Sequence, residues 1–321
     1  VFSSKEVTEY FAKIQNAVSS LSFLVTPDPQ LPVGYTLEWP SSNDCPSPLT
    51  DPNAYKSHAT VILTPLLQPS TSPSTTSSAP SKTNTTIYPI SQLTPLFPPT
   101  TQDPSTELPL LTYLLTLLSH PTTPPSTWTF TAGYFNPSPQ LTSLLLSTTS
   151  RQNTVLTASP HANGFYNSPG ISGMLPAAYT LLSRKFLAAV EKRVPKPDIR
   201  LREWRRGTVN EEGGWTYHAK GLWVDFIDGL ETEKERKEQI PAITVLGSSN
   251  YTKRSYTLDL ETGVVIVTTD EGLRARLREE RERLGEWASE VGMREFESSE
   301  RRVGVHVRIA MWIVGVVGGA L

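Results

Sequence analysis

The sequence predicts an α/β lobe, a mixed β-sheet flanked by helices and interrupted by a disordered Pro/Ser/Thr-rich insertion. Three observations carry this. From residue 127 to residue 268, β-branched and aromatic runs alternate with helical stretches in strand, helix, strand order. Near residue 67 the composition turns to Ser, Thr and Pro ("PSTSPSTTSSAPSKTNTT"), too polar to bury the apolar area that would offset chain entropy. The 321 residues are 37% apolar, enough for a substantial core.

The elements follow in order. Ser3-x-x-Glu6 reads as a capping box, and Val7, Phe11, Ile14, Val18 and Leu21 recur at helical spacing, a helix expected to lie on a sheet. Prolines make 26–52 irregular with one short strand, and 59–63 reads as another. Residues 108–118 form an apolar helix, 127–134 ("TWTFTAGY") a strand, 139–148 a short helix and 154–158 a strand. Pro176 opens a helix to about residue 194, with Leu182, Phe186, Ala189 and Val190 inward. Residues 215–224, 243–246 and 264–268 read as strands. The helix over 271–291 carries Leu273, Leu277, Leu284, Trp287 and Val291 on one stripe, and Glu279 stands four residues before Arg283. The organisation is then an N-terminal part over 1–66, the insertion over 67–107, a catalytic lobe over 108–300 and an apolar tail over 301–321.

One compact constellation carries chemistry. His218, Lys220 and Asp225 stand as H-x-K-x4-D, and Gly247-Ser248-Ser249-Asn250 follows as G-S-x-N. On a strand, His218 and Lys220 share a face, so imidazole and ammonium lie side by side. Lysine gives a phosphate fixed charge, hydroxyl and amide donors orient its oxygens, and histidine attacks or shuttles a proton near neutral pH. Glu261, at the next strand's start, is a candidate to orient His218 through one ring nitrogen. Ser248, Ser249, Asn250, Lys253 and Arg254 are the candidate phosphate-binding residues. In isolation a strand histidine is usually structural; the full signature reverses that reading.

His218, Lys220, Asp225, Gly247, Ser248, Asn250 and Glu261 resemble the second motif of the phospholipase D superfamily. Within it, "TASPHANGFYNSPG", "YHAKGLW" and "GSSNYTKRSYTLDLE" resemble the eukaryotic mitochondrial phosphatidylglycerophosphate synthases, over roughly residues 1–58 and 127–321. The resemblance implies transfer of a phosphatidyl group from CDP-diacylglycerol to glycerol 3-phosphate through a phosphohistidine, a step of phospholipid and cardiolipin synthesis at the mitochondrial inner membrane. It implies no cofactor and no metal. It places the supporting role of Asp225 in the fold rather than on substrate, and it sets residues 163–166, a turn by composition, beside the cleft. The superfamily pairs two such motifs, whereas His58, His120, His161 and His306 lack a lysine two positions on. The expectation is a C-terminal half-enzyme, with half an active site and the nucleophilic histidine in a missing first lobe.

A net charge of −2 gives no basic field for nucleic acid, and one cysteine, Cys45, allows no internal disulfide. The basic groups Arg184-Lys185, Arg200 to Arg206 and Lys253-Arg254 are solvated faces or holders of anionic head groups, the last pair being nearest the motif. The apolar run over 309–321 is short for a membrane span and has Arg301, Arg302 and Arg308 before it, suiting an interfacial segment or one packed on the lobe. Two other readings remain: a phosphodiesterase of the same fold acting on another phosphodiester or nucleic acid, and a non-catalytic fragment.

Overall fold

The computed structural model describes residues 4–68, 84–99, 102–227 and 241–316. A hairpin of β1 (Leu24–Pro27) and β2 (Tyr35–Glu38) stands apart from a mixed sheet. The sheet contains β3 (Thr85–Gln92), β4 (Ser126–Ala132), β5 (Asn153–Ala158), β6 (Ile199–Trp204), β7 (Lys220–Phe226), β8 (Ile243–Gly247), β9 (Glu261–Thr268) and β10 (Ala288–Glu290), in the order β10-β6-β5-β4-β7-β8-β9-β3. Strands β4, β5 and β6 run parallel; the other pairings are antiparallel. This is the expected α/β lobe.

Helices cover both faces because alternate strand residues are apolar on each side. Trp128 and Phe130 of β4 and Leu222 and Val224 of β7 pack with α3 (Glu107–Leu118), α4 (Pro139–Leu145) and α5 (Leu175–Lys192). On the other face Trp223 and Ile266 pack with Leu273 and Leu277 of α7 (Glu271–Leu284). Between β8 and β9 lies the short α6 (Lys253–Thr257), and the described chain ends in α8 (Val305–Val316).

The N-terminal part departs from expectation. Helix α1 (Lys5–Ser19) is capped by Ser4, whose Oγ accepts from Val7 N at 3.4 Å, one residue later than the predicted box. Its Ile14 and Ala17, with Leu21 just beyond it, join Tyr55, Ala59, Leu63 and Leu67 in a second core, so α1 packs chiefly on a helix. That helix is α2 (Pro52–Leu67), which absorbs the strand expected over 59–63. Asp51 caps it by accepting from Asn53 N at 3.2 Å and Ala54 N at 2.9 Å, and Pro52 suits the first helical position. Buried residues every fourth position then outweigh the β propensity of Val61 and Ile62. The segment 26–52 holds parts of two short strands rather than one.

Within the insertion, 69–83 lie outside the described residues, but 84–99 and 102–107 are ordered. Strand β3 pairs with β9 along its whole length, Thr85 opposite Thr268 and Gln92 opposite Glu261. Residues 84–107 therefore belong to the lobe. Strand β6 was not foreseen, since Arg200, Arg202, Arg205 and Arg206 read as a basic cluster. The helix of 271–291 stops at Leu284, where Gly285 caps it and leads through Trp287 to β10. Its expected Glu279–Arg283 pair forms on the exposed surface.

Candidate active site at one end of the sheet

The end of β4, the start of β7, the end of β8 and the start of β9 meet at one edge: Ala132 lies opposite Lys220, and Gly247 opposite Gly263. Strand β7 begins at Lys220, so the predicted strand over 215–224 loses its first part. Residues 217–219 instead lie against Gly133, where a Cβ would come within 2.6 Å of the Tyr217 carbonyl oxygen and 3.2 Å of the His218 Cα. Gly133 N donates to Ala219 O at 3.1 Å, and Tyr217 N to Ala162 O at 3.0 Å. The Tyr217 ring is buried with its hydroxyl 2.7 Å from Thr131 Oγ1. Tyr217 thus anchors inward and His218 is left exposed.

The imidazole stands edge-on to Tyr134, centroids 5.5 Å apart. Tyr134 in turn stacks on Tyr179 of α5 at 5.4 Å and meets Phe165 at 5.6 Å, making an aromatic wall. Residues 163–166 form the expected turn, with Tyr166 N donating to Asn163 O at 2.9 Å, and through Phe165 they border this wall. Sequence reasoning missed Tyr134 and Tyr179. Tyr134 lies just past β4 and Tyr179 on α5, so only tertiary packing brings the two rings together.

Lys220 is half-buried, and its Nζ donates to His218 O at 3.1 Å. Glu261 accepts from the Ser248 hydroxyl, not from His218, so the proposed orienting bond is replaced by a Ser248–Glu261 pair beside the ammonium. Ser248 is further tied into the ladder, its N donating to Thr262 O at 3.1 Å and its Oγ accepting from Thr262 N at 3.2 Å. Asn250 keeps a buried Oδ1 without a hydrogen-bond partner, and of its amide only the Nδ2 end could donate to a phosphoryl oxygen. Tyr251 follows at φ +60°, a left-handed conformation that turns the chain out of the Ser-Ser-Asn segment while its buried ring packs on Phe130 at 4.9 Å. Lys253 and Arg254 are exposed on α6, Arg254 paired with Asp259 at 3.1 Å.

Two predicted site residues are elsewhere. Ser249 is fully buried; its Oγ accepts from Tyr251 N at 3.0 Å and bonds the Glu107 carboxyl, so it supports the turn from behind. Asp225 lies five residues along β7 from Lys220, roughly 16 Å away by strand geometry, and on the opposite face. It is buried in an ion pair with Arg281 of α7. Its place in the motif is explained by fastening that helix, not by touching the reacting groups. The basic cluster also stays apart: Arg202 donates to Ala288 O at 2.6 Å, and Arg206 lies over Trp215 and Trp287.

Partial desolvation of the ring against its neighbours, then the Lys220 charge, lowers the His218 pKa from 6.5. Burial also lowers that of Lys220, with Glu261 opposing it, and raises that of Glu261, with the Ser248 hydroxyl opposing. The imidazole is therefore neutral at neutral pH. Titrating His218 by NMR should give a midpoint below 6.5, and Lys220→Met should move it upward by removing a like charge. An unchanged midpoint would place the ammonium away from the ring.

Glu107, at the start of α3, is a third residue that nothing in the sequence singles out. Only 1% exposed, it has its pKa pushed up to about 7 by burial, against the Ser249 hydrogen bond. Below about 4.5 the carboxyl is protonated folded or unfolded and costs nothing. Between there and 7 the unfolded chain ionises first, so about 3 kcal/mol of stability is lost as pH rises, with a plateau above. Glu107→Gln should flatten this slope in urea unfolding measured from pH 4 to 8.

No family model matches the chain. The CDP-diacylglycerol--glycerol-3-phosphate 3-phosphatidyltransferase of Saccharomyces pastorianus is 40% identical over 316 residues, 98% of this chain and 59% of that protein. The Saccharomyces cerevisiae protein of the same name is 41% identical over the same share. The chain is a homologue of these phosphatidyltransferases. The similarity extends through the middle that motif reading left unmatched. The human protein of that name, described as mitochondrial, is 35% identical over 180 residues, 56% of this chain and 29% of that protein. The chain spans about three-fifths of the length of the yeast phosphatidyltransferases it matches. Among solved structures, the phosphatidylserine synthase of Haemophilus influenzae superposes with a TM-score of 0.52 at 20% identity, covering 74% of this chain and 47% of that one. That likeness is one of fold.

Proposed function

We propose that the whole protein to which this chain belongs moves a phosphatidyl group from CDP-diacylglycerol to glycerol 3-phosphate, in the mitochondrion at its inner membrane. The observation that carries this is the convergence of His218, Lys220 and the Ser248–Glu261 pair at one end of the sheet. Homology to the phosphatidyltransferases supports the substrates.

In this reading a histidine of a first lobe attacks the phosphorus of CDP-diacylglycerol and the bond to CMP breaks. The minor protonated form of His218 gives its proton to the departing CMP phosphate, its lowered pKa making that form a strong donor. The neutral imidazole then takes the proton of the incoming glycerol hydroxyl as that oxygen attacks the phosphohistidine, freeing the first histidine. Lys220 and the Nδ2 group of Asn250 hold the phosphoryl oxygens as charge moves onto them, and Glu261 fixes Ser248 and balances the ammonium. Lys253 and Arg254 meet the approaching anions.

The deciding assay is CMP release by the full-length protein from CDP-diacylglycerol. Release that depends on glycerol 3-phosphate and yields phosphatidylglycerophosphate supports the reading. Hydrolysis of DNA without lipid transfer would hand the fold to a nuclease, and no turnover on either would leave a non-catalytic protein.

Helix α8 supports a membrane surface as a partner. Among the described residues no helix is long and apolar enough to cross a bilayer. Val307 and Met311 pack against Ala178 and Leu181 of α5, whereas Val305, Ile309, Trp312, Ile313 and Val316 are exposed along one stripe. Such a face with Arg308 on the same helix suits an anionic interface. Ile309→Asp with Trp312→Asp should lower flotation with cardiolipin-containing vesicles at least about tenfold; unchanged flotation would remove α8 from membrane contact.

A further inference from the structure

We propose that the groove between α4, α5 and α8 holds an acyl chain of the lipid donor, leading it from the phosphate site to the membrane-facing helix. The inference rests on the proposed phosphatidyl transfer and names where the hydrophobic part of that substrate goes.

The groove has a volume of about 570 Å3, within the ~300–1,000 Å3 of small-molecule sites. Its walls are largely apolar: Phe135 follows the aromatic wall directly, Leu146 ends α4, Leu182, Phe186 and Ala189 line one side of α5, and Met311 of α8 completes it. Lys185, Arg193 and Lys253 also line it. Cations on long stems at an otherwise apolar groove suit an amphiphile with an anionic head, because the stems cover the chain while the charges meet phosphate.

Its position is continuous with the chemistry. Tyr179, stacked on the Tyr134 that contacts His218, is on α5, and Leu182, Phe186 and Ala189 follow it on the same helix. From Tyr179 to Ala189 the axis advances about 15 Å. Lys253 enters the groove three residues after Asn250, and Pro137, which also lines it, forms an isolated antiparallel bridge with Thr252. At the other side, α8 gives Met311 and Val314 to the groove and Ile309, Trp312 and Ile313 to the surface. A chain leaving the bilayer beside α8 can therefore remain covered by apolar side chains until its glycerol phosphate reaches Lys253 and Asn250.

Two measurements on the full-length protein test this. A phosphatidic acid with a diazirine in one acyl chain, presented in vesicles and photolysed, should label peptides spanning 182–189 and 311–315. Labelling confined to Ile309, Trp312 and other surface positions would overturn the groove. Leu182→Trp and Ala189→Trp, each filling the groove, should lower the ratio of kcat/KM for a dioleoyl over a dihexanoyl CDP-diacylglycerol at least about tenfold; an unchanged ratio in folded variants would also overturn it. Photolabelling does not require turnover, so a labelled groove in a protein that transfers no phosphatidyl group would fail the proposed function and leave the groove standing. Normal transfer with an unlabelled groove would do the reverse.

Discussion

In the full-length protein, His218→Ala is expected to slow phosphatidyl transfer about a thousandfold, the middle of the range for a lost general acid–base. The fold should survive. His218 is exposed, outside a strand and edge-on to Tyr134, while the backbone around it is held by Gly133, Ala162 and the inward Tyr217 ring. Truncating it removes little packed surface, so unfolding free energy should change by no more than about 0.5 kcal/mol. Steady-state CMP release and urea unfolding of the same preparation read the two effects separately. Near-normal turnover would end the assignment of His218 as the proton-transfer group, and equal loss of folding and activity would make it a structural residue.

Arg281→Met is expected to destabilise the protein by about 3–5 kcal/mol, because it leaves the Asp225 carboxylate buried without its ion-pair partner. Asp225 is 1% exposed at its side chain, and burial raises its pKa against the opposing pull of Arg281. Combining Asp225→Leu with Arg281→Met should recover much of the loss, since apolar groups of similar size often replace a buried pair at little cost. The folded fraction of that double variant should still turn over. A double variant that is stable yet inactive would return Asp225 to the catalytic machinery and sink the separation drawn here between the two ends of β7.

The two cases mark where the sequence is readable. His218, Lys220, Ser248 and Asn250 were legible because residue types and spacing within each segment form the motif, and the β7–β8 pairing then brings the two segments to one edge. Asp225 was only half legible: the motif names it, but an odd number of residues from Lys220 puts it on the other face, and α7 supplies its partner. Glu261 is a candidate to orient His218, but the Ser248 hydroxyl reaches it across the β8–β9 pair instead. Ser249 looked like its neighbours, yet alternation turned it inward to Glu107.

Strand β6 was hidden by its arginines. Ile199 and Leu201 point into the core while Arg202 is held by backbone carbonyls and the buried Glu203 pairs with Arg301, an arrangement that charge density alone does not disclose. The helix over 52–67 and the ordered residues after 84 were likewise missed, one because β-branched residues obscured a four-residue apolar spacing, the other because β3 is stable only as the partner of β9.

By itself the sequence determined the α/β class, the chemistry available at His218 and Lys220, and the polar turn that faces them, since these depend on residue type and on spacing within single elements. Tertiary structure alone decided which carboxylate meets which donor, that Tyr134 and Tyr179 stand beside His218, and that an apolar groove forms between α4, α5 and α8. The reason is physical: strand and helix periodicities fix the direction of neighbours within an element, whereas contacts between segments tens of residues apart depend on packing that no local pattern encodes.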